Sequence, residues 1–326
     1  EQLPFLPGLR EIYVENTPVT DAGLAKLEAF HTLTHLWLDG TRVTDAGLPA
    51  LRTFTELHGL DLGDTQVTDA GLANIAELRS LVTLNLQDVF LTDAAMEHFQ
   101  KLTKLEELDL SGTAITDAGV ENLPALANLR EMRLGKTKIT DGALARLGEF
   151  TKLELLNLDE TDITDAGIET LRPLLRLERV FLEGTAVTDP SLAILAELPR
   201  LKELDLRQTD VTDLGIDHLW RLPRLEKLIL EETQITDAGA ERLAALTQLA
   251  ELDLDDTEIT DAGLVHLKKL PRLKELSLRN TQITDAGLAS LKELPALVTR
   301  RVDGAAVTAE AARDLEKAVP RLTVYR

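Results

Sequence analysis

Six histidines and 56 carboxylates are where chemistry would have to start in this chain, because no cysteine is present to supply a thiolate, a disulfide or a soft metal ligand. His31 and His35 form an H-x-x-x-H, a spacing that on one helix face would hold zinc. Here it spans a turn and the start of a strand pattern, so that geometry is not expected. His98, His218 and His266 share one helical register, expected to face outward, and their sequence separations place them about 10 Å or more apart. Asp253, Asp255 and Asp256 crowd together but lack the spaced loop and glycine of a calcium site. Catalytic carboxylates need burial or a cleft to shift their pKa. No glycine-rich phosphate loop, G-x-S-x-G elbow or matched Ser and His is visible. The expectation is therefore no cofactor, no metal and no enzymatic activity.

These groups are carried on a repeat. Threonine stands at Thr20, Thr44, Thr68 and every 24 residues onward to Thr308, with no insertion or deletion. Aspartate follows it from Asp21 to Asp285, and the thirteenth unit has Ala309 instead. Strict phase means that thirteen units share one geometry. In "LEELDLSGTAITDAGVENLPALAN", Leu105 to Asn128, Leu108 and Leu110 alternate with polar neighbours, which predicts a short strand. Ile115, Val120, Leu123 and Leu126 then recur at helical spacing. Thr116 is placed to cap that helix by accepting from an orphan N–H, and Asp117 to set negative charge at its positive end. Two residues on, the position is Gly in nine units and Ala95, Ala143, Ser191 or Ala311 in the others. Small size, not a left-handed backbone, is what these share, so close packing between successive helix starts is expected.

The pattern L-x-x-L-x-L-x-x-T followed by "ITDAGL" resembles the leucine-rich repeat family over nearly the whole chain. Its wording is most similar to the cysteine-containing subfamily of F-box proteins, and to bacterial relatives, notably in planctomycetes, with Thr in the cysteine's place. The resemblance implies an α/β solenoid of about 13 repeats: a curved horseshoe with a parallel β-sheet on its concave face and helices on its convex face. It also implies a ladder running from Thr17, Thr41, Thr65 and Thr113 to Thr281, broken at Val89 and Ala305, that satisfies backbone groups where the strands end. A single domain over 1–326 is expected, with a partial repeat at 1–8, regular repeats over 9–296 and a capping repeat over 297–326 that closes on a short strand around Val324. The opening "EQLPFLPGLREI" enters partway through a unit, which suggests a missing upstream segment. No F-box segment is visible.

The formal net charge of −21 argues against nucleic acid and anionic membranes as partners, and no apolar run is long enough to span a bilayer. With 3% aromatic residues, the core must be built from Leu, Ile, Val and Ala. Three positions per unit, represented by Glu107, Asp109 and Ser111, are expected to form the concave face. Over thirteen units they hold 17 acids and six Arg or Lys, more than half of the chain's excess charge. That face either keeps the sheet solvated or attracts a protein or peptide partner of basic character. Asp109, Asp205, Asp253 and Asp255 are its candidate contacts. Leu155, Arg179, Phe181 and Ile229, flanked by Arg133 and Arg207, break the acidic rule and form a candidate hot spot. Tyr13 and Trp37 form a second, N-terminal patch. Ile194 and Trp220 fall on neighbouring helices of the outer face. The unit containing "DVFLTDAAMEHFQ", with Val89 and Phe90, reads as a drifted repeat that repacks locally. The expected function is a non-enzymatic, monomeric protein-interaction scaffold. The alternatives are a structural or regulatory segment of a larger protein, F-box-like substrate recognition included, and an engineered consensus array.

Overall fold

The computed structural model describes residues 8–294, 296–318 and 323–325. The chain divides into two compact units, Glu1–Asp162 and Ile163–Arg326. In the first, β1 (Glu11–Tyr13), β2 (His35–Trp37), β3 (Gly59–Asp61), β4 (Thr83–Asn85), β5 (Glu107–Asp109), β6 (Glu131–Arg133) and β7 (Leu155–Asn157) pair in parallel, each with the next. In the second, β8 (Arg179–Phe181), β9 (Glu203–Asp205), β10 (Lys227–Ile229), β11 (Glu251–Asp253), β12 (Glu275–Ser277), β13 (Thr299–Arg301) and β14 (Thr323–Tyr325) do the same. Register is uniform, residue n opposite n+24, so every repeat position forms a row across its sheet. The strand expected around Val324 is present, opposite Arg300.

Each strand is three residues long because the chain must turn once its L-x-L triplet has entered the core. The residue before the ladder threonine takes a left-handed conformation, as at Gly112 (φ 70°), Lys136 (φ 58°) and Glu232 (φ 53°). Nine of these thirteen positions are not glycine, at a cost of about 1–2 kcal/mol each. The ladder threonine holds the turn: Thr113 Oγ1 donates to the Leu110 carbonyl at 2.6 Å, and Thr257 Oγ1 to that of Leu254 at 2.6 Å. At the break in the ladder Val89 is buried, but Phe90 is 73% exposed. It occupies the bridge register of Arg42, Gln66 and Lys138, a solvent position, so the expected repacking does not include its ring.

Behind the strands, Leu105, Leu108, Leu110, Ile115, Val120, Leu123 and Leu126 are all buried, as the period predicts. Full burial of each large side chain contributes roughly 2 kcal/mol. The helices are short, four to seven residues from Asp21–Leu24 to Asp261–Leu267, with ten only in Ala309–Ala318. Two repeats, at Leu48–Thr53 and Asp93–Phe99, use 3-10 turns instead.

Such short helices have little macrodipole, and the repeated aspartate has a different main task. Asp93 Oδ1 accepts the backbone N–H of Thr116 in the next repeat at 2.8 Å, and Oδ2 its hydroxyl at 2.7 Å. Thr116 Oγ1 in turn accepts the Ala118 N–H at 3.3 Å, the expected cap. The same carboxylate-to-threonine staple joins Asp21 to Thr44 in the first unit and Asp213 to Thr236 and Asp285 to Thr308 in the second. This also explains the small residue. A Cβ on Gly119 would lie 2.3 Å from Asp93 Oδ1, and one on Gly239 would lie 2.3 Å from Asp213 Oδ1. Close packing is present, but the object packed against is the previous repeat's carboxylate.

Candidate functional site

Strand-face side chains in rows form the candidate surface of each unit. One row carries Tyr13, Trp37, Asp61, Asn85, Asp109 and Arg133 across β1 to β6. Tyr13 is 59% exposed, and its ring centroid lies 6.1 Å from that of the half-buried Trp37, so the two rings adjoin. Asp61 and Asp109 each use one oxygen on the backbone: Asp61 Oδ1 accepts the Gly63 N–H and Asp109 Oδ1 the Ser111 N–H, both at 2.9 Å. Burial, with hydrogen bonds from Gly63 and Asn85 only partly offsetting it, holds Asp61 above the ordinary carboxylate range. Burial and then the charges of Asp61 and Asp64 do the same to Asp39. Arg133 is held by Glu131 at 2.7 Å.

Leu155 is only 2% exposed and drops out of the candidate hot spot. It stands in register with Glu131 on the neighbouring strand.

In the second unit the corresponding row is Phe181, Asp205, Ile229, Asp253, Ser277 and Arg301. Phe181 and Ile229 are half-buried and stand two strands apart with Asp205 between them. Asp205 is fully buried, not a free contact, because the Arg207 fork closes over it: Nε lies 3.0 Å from both carboxylate oxygens and Nη2 2.6 Å from Oδ2. That hydrogen bond above all raises the Arg207 pKa, and Glu183 adds a second ion pair at 2.9 Å. Asp255 is likewise fully buried, accepting the Arg279 N–H at 2.6 Å and its Nε at 2.5 Å. Asp253 remains half-buried. It uses Oδ1 on the Asp255 N–H at 2.9 Å, and burial, then the Asp255 charge, push its carboxyl up. Burial, then Asp253 and Asp255, push Glu231 up too. Arg179, on β8, is half-buried beside this row.

The strand face is therefore a mesh of ion pairs and strand-end caps. Sequence reasoning missed that an L-D-L-x-x-T aspartate accepts a backbone N–H two residues on. The available signal was the Asp four residues before the ladder threonine at Asp61, Asp109, Asp205 and Asp253.

Two histidines adjoin: the His35 ring lies 6.5 Å from that of His58 and 5.7 Å from Trp37, while His98, His218 and His266, on separate repeats, are half-buried, not outward. Among the described residues no group of three or more His, Asp or Glu is arranged to hold a metal, and no helix is long and apolar enough to cross a membrane. On the helix side Trp220 is 64% exposed beneath the Arg221 guanidinium at 5.6 Å, while Ile194 is half-buried.

Residues 101–123 and 151–171 match the family model described as Leucine Rich repeat, and residues 247–293 match that described as Leucine Rich repeats (2 copies). Both units are leucine-rich-repeat folds. An internalin from Listeria monocytogenes is 22% identical over 97% of this chain and 86% of its own, with a TM-score of 0.70. A leucine-rich-repeat protein from Leptospira interrogans is 18% identical over 96% of each chain, with a TM-score of 0.61. The leucine-rich-repeat ectodomain of a plant membrane receptor kinase from Arabidopsis thaliana, solved in complex with Casparian strip integrity factor 2, is 16% identical over 98% of this chain and 44% of its own, with a TM-score of 0.54. No curated protein matches the sequence significantly. Leucine-rich-repeat folds are commonly non-enzymatic scaffolds for protein–protein interaction.

Proposed function

We propose that this chain is a protein-recognition module that binds a protein or peptide of basic character on its strand face. Phe181 and Ile229 are its apolar anchors, with Arg179 and Arg207 beside them. The observation that carries this reading is the Phe181, Asp205, Ile229 row. Two half-buried apolar side chains flank an aspartate sealed by the Arg207 fork, so the guanidinium is pre-ordered and little side-chain freedom remains to be lost on binding. The surplus of carboxylates over Lys and Arg supports electrostatic steering of a basic partner. The Arabidopsis ectodomain, solved with a bound factor, supports the partner class. The unbroken 24-residue phase supports one array, and the "ITDAGL" wording supports kinship with bacterial, planctomycete-like and F-box-associated cysteine-containing arrays.

The test is affinity capture from native extract with the wild-type chain and the double variant Phe181→Glu, Ile229→Glu. A protein kept by the first and lost by the second, with association slowing as salt rises, is the expected result. Because both residues lie on the solvent side of the sheet, the thermal midpoint of the variant should stay within about 3 °C of wild type. Identical capture by both chains would remove these two anchors.

A further inference from the structure

The first unit has a hollow on its strand face that Phe181 and Ile229 do not use. It encloses about 320 Å³, and its lining includes Glu15, Trp37, Asp61, Asn85, Glu107 and Asp109. Its shape follows from register. Across β2 to β6 the row runs Trp37, Asp61, Asn85, Asp109, Arg133, so three short side chains lie between two tall ones. The indole leans over the sheet because β3 offers no side chain there. A Cβ on Gly59 would come within 2.6 Å of Trp37 Cη2 and 2.5 Å of His35 Cδ2. Tyr13 supports the ring from the other side, 58° from parallel. One wall of the hollow is therefore aromatic and built.

The rest of the lining is acidic. Glu15, Asp61, Glu107 and Asp109 face one cation, Arg133, which Glu131 already holds. Asp109 uses Oδ1 on the Ser111 N–H, which leaves acceptor capacity on its second oxygen, whereas Asp61 accepts from the Gly63 N–H on Oδ1 and from Asn85 Nδ2 on Oδ2 at 3.1 Å and so contributes mainly charge. Burial raises the carboxyls of both Asp39 and Asp61; acidic neighbours add to this, and at Asp61 hydrogen bonds from Gly63 and Asn85 offset it only in part, which fits a local surplus of negative charge. An anion would be repelled here, and an apolar group would leave the carboxylates desolvated and unpaired. A cation reverses both penalties and is also attracted to an indole face.

We propose that this hollow recognises a cationic side chain, lysine or arginine, presented by the partner, with its stem and charge against Trp37, its N–H donors on Asp109 and the Asp61 carboxylate beside it as a second countercharge. The proposal rests on the strand face being the binding side, and it names the partner chemistry that the first unit selects.

Trp37 and Trp220 are the two tryptophans of the chain, so Trp220→Phe leaves Trp37 as the sole indole reporter. Into that full-length protein, capped tetra-arginine, tetralysine, tetraglutamine and tetraglutamate are titrated, following Trp37 emission and, in parallel, heat by calorimetry. The expected result is a saturable change with tetra-arginine or tetralysine and none with the other two. The double variant Asp61→Asn, Asp109→Asn should weaken binding about tenfold or more, and the Trp37→Leu chain should weaken it several-fold by calorimetry. The cationic peptide that binds more tightly identifies the side chain. Folding of the Asn variant is expected, because Asn85 and Asn157 are the native residues at the same register, where they accept the same strand-end N–H; an unchanged urea midpoint checks this. The proposal is overturned if neither cationic peptide changes Trp37 emission, or if the Asn variant binds as wild type does. In either case calorimetric binding that persists would place basic-partner recognition elsewhere on the strand face. Failure of the Phe181 and Ile229 anchors is read separately, in the capture experiment.

Discussion

Carboxylates recur at the helix starts and, in some repeats, at the strand ends, and Asp213 and Asp253 show how far the surroundings of the two positions can differ. At the helix start both oxygens of Asp213 are taken by the next repeat, Oδ1 by the Thr236 N–H at 2.9 Å and Oδ2 by its hydroxyl at 2.7 Å. At the strand end Asp253 uses Oδ1 on the Asp255 N–H, and its Oδ2 accepts no hydrogen bond among the described residues. The electrostatics follow. Asp165, at a helix start, is raised by burial but lowered more by hydrogen bonds from Ser191 and Thr188, and ends below the ordinary range. Asp253, at a strand end, ends above it, with burial as the main cause. The lesson is that an acid with every acceptor site occupied belongs to the frame, even where it is partly exposed. An acid with acceptor capacity left over is one a partner can use.

The comparison can be broken most directly at its packing. Gly239→Leu would drive a side chain into Asp213, and even its Cβ would lie 2.8 Å from Ile235 Cγ2. The expected loss is about 3 kcal/mol, read as a lower urea midpoint. An unaltered midpoint would show that successive helix starts are not closely packed.

Removing the staple itself should do less. Asp213→Ala leaves the Thr236 N–H and hydroxyl without their acceptor, at a cost of about 2 kcal/mol. Equal losses from Asp213→Ala and Asp253→Ala, measured side by side by urea unfolding, would erase the distinction between these two aspartates.

The smallest effect carries the sign. A carboxylate whose folded pKa lies above its unfolded value destabilises the fold when ionised, and that cost disappears as pH falls through the folded pKa. Asp253→Asn should therefore stabilise the chain slightly at pH 7, by less than about 1 kcal/mol, with the gain gone near pH 4. Asp165 has the opposite sign. Its stabilisation is present above the ordinary carboxylate pKa and is lost as pH falls through its lower folded value. Urea midpoints of wild type and Asp253→Asn at pH 7 and pH 4 measure the difference; a loss of stability at pH 7 would reassign Asp253 to the frame.

Much of the fold was legible because every repeat states it again. Alternation at Leu108 and Leu110 and the helical stripe from Ile115 to Leu126 each fix which side chains are buried, and all of them are. The left-handed turn was not legible, since Lys136, Glu232 and seven other non-glycine residues occupy it. The candidate site was legible as a surface but not residue by residue. Phe181 and Ile229 keep part of their surface, whereas Asp205 in the same row, and Leu155 and Asp255 in the rows on either side, are buried, the two aspartates under Arg207 and Arg279.

The sequence by itself determined the period, the strand and helix alternation and the core, because these depend on side-chain spacing within a repeat. Tertiary structure decided which oxygen meets which donor 23 residues away, and which side chain lies over its neighbour. Those outcomes depend on contacts between repeats, where Asp213 and Asp253 read alike as letters and differ by what the adjacent strand or helix brings within 3 Å.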